Sequence, residues 1–190
     1  MRMTSRSWAA AAAIALCAST VWGAERAGVQ MPDTLSVQGR NLVLNGLGVR
    51  EATVFNVDVY VAGLYIPERS SDPATILRPD EPKVLRMVFV HDVSRDQMTK
   101  AWHEGFEKNA GTSLTALSPR IDQLNSYMTD HKKGDILTFT DVPGLGVEVR
   151  AGGQLKGTIP GDDFAQALFR IWLGPSPPNE GLKDGLLGRR

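Results

Sequence analysis

Arg50 stands apart among the side chains that could do chemistry. It follows Asn45-Gly46-Leu47-Gly48-Val49 and precedes a stretch rich in Val, Phe and Tyr, where an unpaired guanidinium would be costly to bury. Two readings stand: a residue at the surface, or an anion anchor whose planar fork of donors holds a carboxylate or phenolate in fixed orientation. Other chemistries find little material. His91, His103 and His131 are too scattered for an HExxH or paired-ligand site and read as surface or internally satisfied histidines. No GxSxG elbow is present, and the acidic residues form no recognisable pair for glycosidase work. Gly46 and Gly48 invite a phosphate-loop reading, but Glu51 occupies the place of the third glycine and no helix pattern follows. A backbone bend is the better account. Neither a metal nor a cofactor is expected.

The elements around Arg50 follow from pattern. Leu35 to Val37 and Asn41 to Leu44 read as short strands, and Thr53 to Ile66 as a long one that Pro67 ends. On that strand the odd positions are mostly apolar, while the even ones include Asn56, Asp58 and Tyr60, as expected of a strand with its back to a core and its front to a cleft or solvent. Proline-punctuated sequence follows, with a short helix from Pro73 to Leu77, and Lys83 to Val90 resumes as a strand.

Three longer helices have clear signals. Ser94 to Gln97 resembles a capping box ahead of the apolar face Met98, Ala101, Trp102, Gly105 and Phe106. Ser118-Pro119 reads as an N-cap and first helical position leading to Ile121, Leu124 and Met128. Asp162 or Asp163 opens the third, where Phe164, Ala167, Leu168, Ile171 and Trp172 repeat before Gly174-Pro175. On these faces Trp102, Phe106, Phe164 and Trp172 read first as core. Ile136 to Thr140, Leu145 to Arg150 and Leu155 to Ile159 form a meander with glycine turns. This order lacks the alternation of a parallel α/β fold, so the expectation is α+β, with helices on one face of an antiparallel sheet.

Composition bounds location and partners. The 190 residues carry 21 basic and 21 acidic side chains, so no net field attracts nucleic acid. Arg2, Arg6 and the apolar run Ala9 to Ala18 read as a secretory signal ending at Gly23 or Ala24. A retained anchor helix is the alternative, though the run is short for a bilayer. Cys17, the only cysteine, lies inside that leader behind Leu16, which argues against lipidation and leaves the mature chain without thiols. Without Arg2 and Arg6 the balance is 19 basic against 21 acidic, a formal charge of −2. The expected organisation is a signal peptide over 1–24, one domain over 25–174 and a Pro/Gly-rich tail over 175–190 with a short helical turn near Leu182.

The run Gly46-Leu47-Gly48-Val49-Arg50, the ending Ala62-Gly63-Leu64-Tyr65-Ile66 and the strand-then-helix from Leu85 to Asn109 resemble the chalcone isomerase-like superfamily, in particular its exported bacterial branch. The resemblance spans Leu35 to Leu173 and implies an open-faced β-sandwich with a ligand cleft between a large antiparallel sheet and its helices. In the plant isomerases of this family the arginine of the GxGxR run holds the substrate oxyanion, a place that Arg50 occupies. Their catalytic threonine falls at Tyr60, and their tyrosine and asparagine fall at Met98 and Gly105. In the fatty-acid-binding branch an arginine and a tyrosine at the first two places grip a carboxylate, and Arg50 with Tyr60 resembles that pair.

The resemblance therefore implies a periplasmic, non-catalytic binder of a fatty acid or similar apolar carboxylate, without an integral membrane span after signal cleavage. The alternatives are an intramolecular lyase of the chalcone-to-flavanone type and a ligand-free interaction module whose own side chains fill the cleft. One geometric condition applies to the first reading. Ten residues of straight strand span about 33 Å, so Arg50 and Tyr60 meet only if the chain turns between them, with Glu51-Ala52-Thr53 the expected place. Arg86, on the even face of the next strand, is either a second anchor or exposed.

Overall fold

The computed structural model describes residues 23–52 and 57–189. The proposed signal segment up to residue 22 lies outside the described residues, as do Thr53 to Asn56 of the expected long strand. A small hairpin comes first, β1 (Ala24–Arg26) with β2 (Val29–Met31). Seven strands then form one antiparallel sheet in chain order: β3 (Thr34–Val37), β4 (Arg40–Ala52), β5 (Val57–Ile66), β6 (Lys83–Phe89), β7 (Ile136–Val142), β8 (Gly146–Ala151) and β9 (Gln154–Ile159). Every neighbour in the sheet is a neighbour in sequence, so the sheet is a meander interrupted by helices.

The helices are α1 (Pro73–Ile76), α2 (Arg95–Asn109), α3 (Leu114–Ser126), α4 (Asp162–Leu173) and α5 (Glu180–Leu186). Alternation of side chains along the strands separates two apolar layers. Tyr60, Ala62 and Leu64 of β5, Leu85, Met87 and Phe89 of β6, and Phe139 of β7 pack with α2, α3 and α4. On the other face Val61, Tyr65 and Val84 pack with Leu42, Leu44, Leu47 and Val49 of β4 and with Met31. The fold is the expected α+β arrangement, a curled antiparallel sheet carrying helices on one face.

Local signals held where they were strong. Ser94 accepts from the Gln97 backbone amide while the Gln97 side chain accepts from the Ser94 amide, which is the reciprocal cap expected of that sequence. α4 runs between Gly161 and Gly174 with Phe164, Leu168, Ile171 and Trp172 buried. The start of α3 differs from expectation. The helix begins at Leu114, after one 3₁₀ turn, and Pro119 lies inside it. Starting early adds Leu117 to the buried stripe with Ile121 and Leu124. The hydrogen bond that Pro119 cannot donate falls on Thr115, which is exposed to water.

The glycine bend is also corrected. Gly46 and Gly48 lie within β4, paired across the ladder with Leu64 and Ala62. Register shifts between Leu44 and Gly46, making Asn45 the extra residue of a β-bulge. Before the bulge the even residues Leu42 and Leu44 face the outer layer; after it the odd residues Leu47 and Val49 do. Gly46, Gly48 and Arg50 are thereby turned toward the helix side.

The two glycines meet α5 there. A Cβ at Gly46 would overlap the Gly185 carbonyl oxygen, and one at Gly48 the Leu182 carbonyl oxygen. Helix α5 is therefore packed against β4, and it is the turn expected near Leu182, with Leu182 and Leu186 buried. Asn45 fastens this junction. Its Nδ2 donates to the carbonyls of Leu186 (2.8 Å) and Ser70 (2.9 Å), and its Oδ1 accepts from the Ser70 amide (2.8 Å).

Replacing Asn45 by Ala removes a side chain that satisfies three backbone groups at once. Asn45→Ala is expected to lower unfolding stability by about 1–3 kcal/mol, the range for leaving buried polar groups unpaired. Urea denaturation of the variant and the parent measures this directly.

Candidate ligand-binding cleft

Arg50 and Tyr60 are directly opposed residues of the β4–β5 hairpin. Ala52 pairs antiparallel with Val57, so the chain reverses between Arg50 and Tyr60 as required; Glu51 and Ala52 are still strand, and Thr53, the last residue of the expected turn, lies outside the described residues. Side chains on directly opposed residues share a face of the sheet. Both line one cavity of about 470 Å³ under the helices.

Each wall has a structural origin. A second register shift, between Arg50 and Glu51, leaves Val59 unpaired on the β4 side. Its carbonyl accepts instead from the amides of Val90 (3.0 Å) and His91 (3.3 Å). Val57, Val59 and Ala52 consequently line the cavity beside Tyr60. Helix α2 supplies Met98, Trp102 and Gly105, α4 supplies Ile171, and the link after α4 supplies Ser176 to Pro178. Asn109 holds that link, its Nδ2 donating to the Ser176 carbonyl (3.0 Å) and its Oδ1 accepting from the Ser176 amide (3.1 Å).

Met98 and Gly105, the two helix positions matched to the family's tyrosine and asparagine, both border the cavity. Neither side chain offers a hydrogen-bonding group. A Cβ at Gly105 would lie 2.8 Å from Ile171 Cγ2, so this glycine lets α2 close on α4.

The polar groups differ sharply in burial. Arg50 is half-buried; its Nη1 donates to the Glu51 carbonyl oxygen, and among the described residues no carboxylate pairs with it. Tyr60 is 6% exposed, with its ring edge against Phe89. The Trp172 indole donates to the Tyr60 hydroxyl at 2.9 Å. That contact occupies an acceptor site of the hydroxyl and leaves its proton to donate elsewhere. The rim is more exposed and includes His91, Gln97, Glu104 and Lys108. Asp92, also at the rim, is engaged by Lys132 at 2.9 Å and by the Lys133 amide.

Burial pushes the Tyr60 phenol up to about 12, against partial lowering by the Trp172 hydrogen bond and the Arg50 charge. The phenol is therefore a neutral donor across the physiological range. Burial likewise holds His131 below the ordinary histidine range. This imidazole is not at the surface: it is buried, stacks on Phe89 at 4.5 Å, and its Nε2 has no partner among the described residues.

Chemically, the cleft presents a cation and a neutral phenol donor side by side, above an apolar floor. Among the described residues no carboxylate or imidazole hydrogen-bonds to the phenol, and no cluster of three metal-ligating side chains is found. It is also open, so the protein's own side chains do not fill it. Arg86 faces the opposite side of the sheet, in a groove with Thr138 and Arg150, and takes no part in the cleft. In the sequence Trp102 and Trp172 read first as core; the periodicity that showed their burial carried no sign that one borders a cavity and the other holds Tyr60.

With this geometry in view, comparison with known proteins is informative. The chain matches the chalcone isomerase-like family model over residues 23–188. It belongs to that family. Among solved structures, it is similar to a crystal structure of an Arabidopsis thaliana fatty-acid binding protein, with a TM-score of 0.71, 14% sequence identity, and coverage of 85% of this chain and 93% of that one. At that identity the likeness establishes the fold. No curated protein sequence matches.

A phenol such as that of Tyr60, whose folded value exceeds its unfolded one, contributes stability that is fully present below about pH 10 and lost as pH rises toward about 12. Burial raises Tyr65 similarly, to about 12. Tyr60→Phe is therefore expected to remove about half of the tyrosine-dependent stability loss between pH 10 and 12, read from denaturant midpoints across that interval.

Proposed function

We propose that the protein is a non-catalytic binder of a fatty acid or similar apolar carboxylate. The observation that carries this is the direct opposition of Arg50 and Tyr60 on the wall of an open cavity, one a cation without a carboxylate partner among the described residues and the other a neutral donor. A carboxylate supplies what both groups lack: one negative charge and two acceptor oxygens. The apolar wall from Val57, Val59, Met98 and Ile171 then takes the hydrocarbon tail, each buried CH₂ contributing about 0.8 kcal/mol. The cavity volume falls within the range of roughly 300–1,000 Å³ usual for small-ligand sites. Binding of fatty acid by the structurally similar Arabidopsis protein supports the same reading. We further propose that the segment up to Gly23 or Ala24 directs export to the periplasm, on the pattern of its charges and apolar run.

An isomerase reading asks more of the cleft than it holds. Arg50 could stabilise an oxyanion, but Met98 and Gly105 bring no polar group to position the reacting phenol or enone.

Two measurements test the proposal. Delipidated protein titrated with C12 to C18 acids should bind them, and Arg50→Met should weaken binding by about tenfold or more, the scale of one lost charge-assisted contact. Equal affinity in parent and variant would overturn the carboxylate assignment. With a hydroxychalcone the protein is expected to give no acceleration of ring closure over buffer, and a rate above buffer that Arg50→Met abolishes would favour the isomerase instead.

A further inference from the structure

Arg86 is a second cation without a partner, on the face of the sheet turned away from the helices. It lies half-buried on β6 between Val84 and Val88, its neighbours on that face, and among the described residues no hydrogen bond or ion pair engages it. An unpaired guanidinium on a partly covered apolar face is unfavourable enough to need a reason.

The sheet pairing supplies one. Arg86 stands directly opposite Thr138 of β7, and Thr138 directly opposite Arg150 of β8. Directly paired residues share a face, so the three form one row, with the two arginine Cα atoms about 10 Å apart at ordinary strand spacing. Thr140, two residues along β7, adds a second hydroxyl on the same face. Neither threonine hydroxyl has a hydrogen-bond partner among the described residues.

Strand β3 closes this row into a groove. Although β4 and β5 separate β3 from β6 in the sheet, Leu35 to Gln38 and the row line one depression of about 520 Å³, so the sheet curls over this face. The charged residues lining it are Arg86, Arg150 and Glu148, which leaves one positive charge in excess. Glu148 lies 3.7 Å from Arg150, longer than a normal hydrogen bond, and does not pair with Arg86.

We propose that this groove is an anion site, separate from the cleft, that takes a tetrahedral oxyanion between Arg86 and Arg150 above Thr138: the phosphate or sulfate group of a small molecule, or the free ion. The donors select the class. One guanidinium fork satisfies both oxygens of a carboxylate, whereas a tetrahedral anion has further oxygens left for a second fork and a hydroxyl. The volume falls within the range of roughly 300–1,000 Å³ usual for small-ligand sites, and Leu35, Val37 and Ile136 border the part beyond the row, where the organic portion of an ester would lie. Nothing in this assignment depends on what the cleft binds.

The test uses the full chain, with glycerol 3-phosphate, inorganic phosphate, inorganic sulfate and acetate as probes at constant ionic strength. In the parent protein the Nε–Hε resonances of Arg86 and Arg150, assigned through the backbone, should both move on adding the ester. Calorimetric titration of Arg86→Met or Arg150→Met should show ester binding weakened by about tenfold or more, the scale of one lost charge-assisted contact. Thr138→Val should weaken it by about threefold to tenfold, the range for one ordinary hydrogen bond. Tighter binding of the ester than of inorganic phosphate or sulfate identifies an organic ligand, equal binding identifies the free ion, and either supports the site. Acetate should bind at least about tenfold more weakly than phosphate, and equal affinity for the two overturns the tetrahedral assignment. Saturating laurate should leave ester affinity unchanged; displacement of the ester by laurate places it in the cleft and overturns the groove. Arginine resonances unmoved at about 10 mM of every probe, tenfold above a dissociation constant of about 1 mM, overturn the inference without requiring any variant to fold. Parent-like ester affinity in both arginine variants overturns it as well.

Discussion

The β-bulge at Asn45 determines which way Arg50 points. Along a regular strand, alternate residues share a face, and Leu42 and Leu44 face the outer layer of the sheet. Continued without interruption, that pattern would carry Gly46, Gly48 and Arg50 to the same apolar outer layer, away from the helices and the cavity. One extra residue reverses the alternation. The outer layer is then continued by Leu47 and Val49, and the even residues turn to the helices. Asn45 keeps its extra residue in place by binding Ser70 on one side and Leu186 on the other, so the bulge is held from both ends of the chain's contacts.

The glycines in front of Arg50 take their meaning from this reversal. Gly46 and Gly48 are not needed for a turn, since both lie in ladder-paired strand. They are needed because the backbone of α5 approaches β4 more closely than any side chain would permit. Gly185 on α5 makes the reciprocal approach to Leu47. Seating α5 here also brings Asn179 to the Val49 carbonyl at 3.1 Å, one residue before Arg50. The strand that carries the cation is thus braced along one side by the C-terminal helix and along the other by β5.

Much of the scaffold was legible because its signals are local. The Ser94 to Gln97 cap, the apolar repeat of α4 and the glycine turns between β7, β8 and β9 each describe a few consecutive residues whose backbone they determine. The meeting of Arg50 with Tyr60 was legible only as a condition, that the chain turn between them, and the hairpin meets it. What could not be read is contact at long sequence separation. The approach of α5 to Gly46 links residues about 140 positions apart, and nothing in Gly-Leu-Gly distinguishes that from a bend. The early start of α3 is similar: Ser118-Pro119 is a sound local start signal, but burying Leu117 extends the helix past it. Local preference yields where a tertiary contact gains more.

The tryptophans show why core and site need not be separate assignments. Helical spacing placed Trp102 and Trp172 on buried faces, and both are buried. Burial alone, however, leaves the indole N–H to be accounted for. In Trp172 that group orients the phenol of Tyr60, so a residue with no exposure acts on the cleft through one hydrogen bond of 2.9 Å. In Trp102, packed against it, the same group has no acceptor among the described residues. A pair of phenylalanines could fill much of this volume with no unpaired donor to stabilise. Retaining an indole at position 172 makes physical sense because its N–H is used, fixing the hydroxyl of Tyr60 on the wall of the cavity that Arg50 also lines.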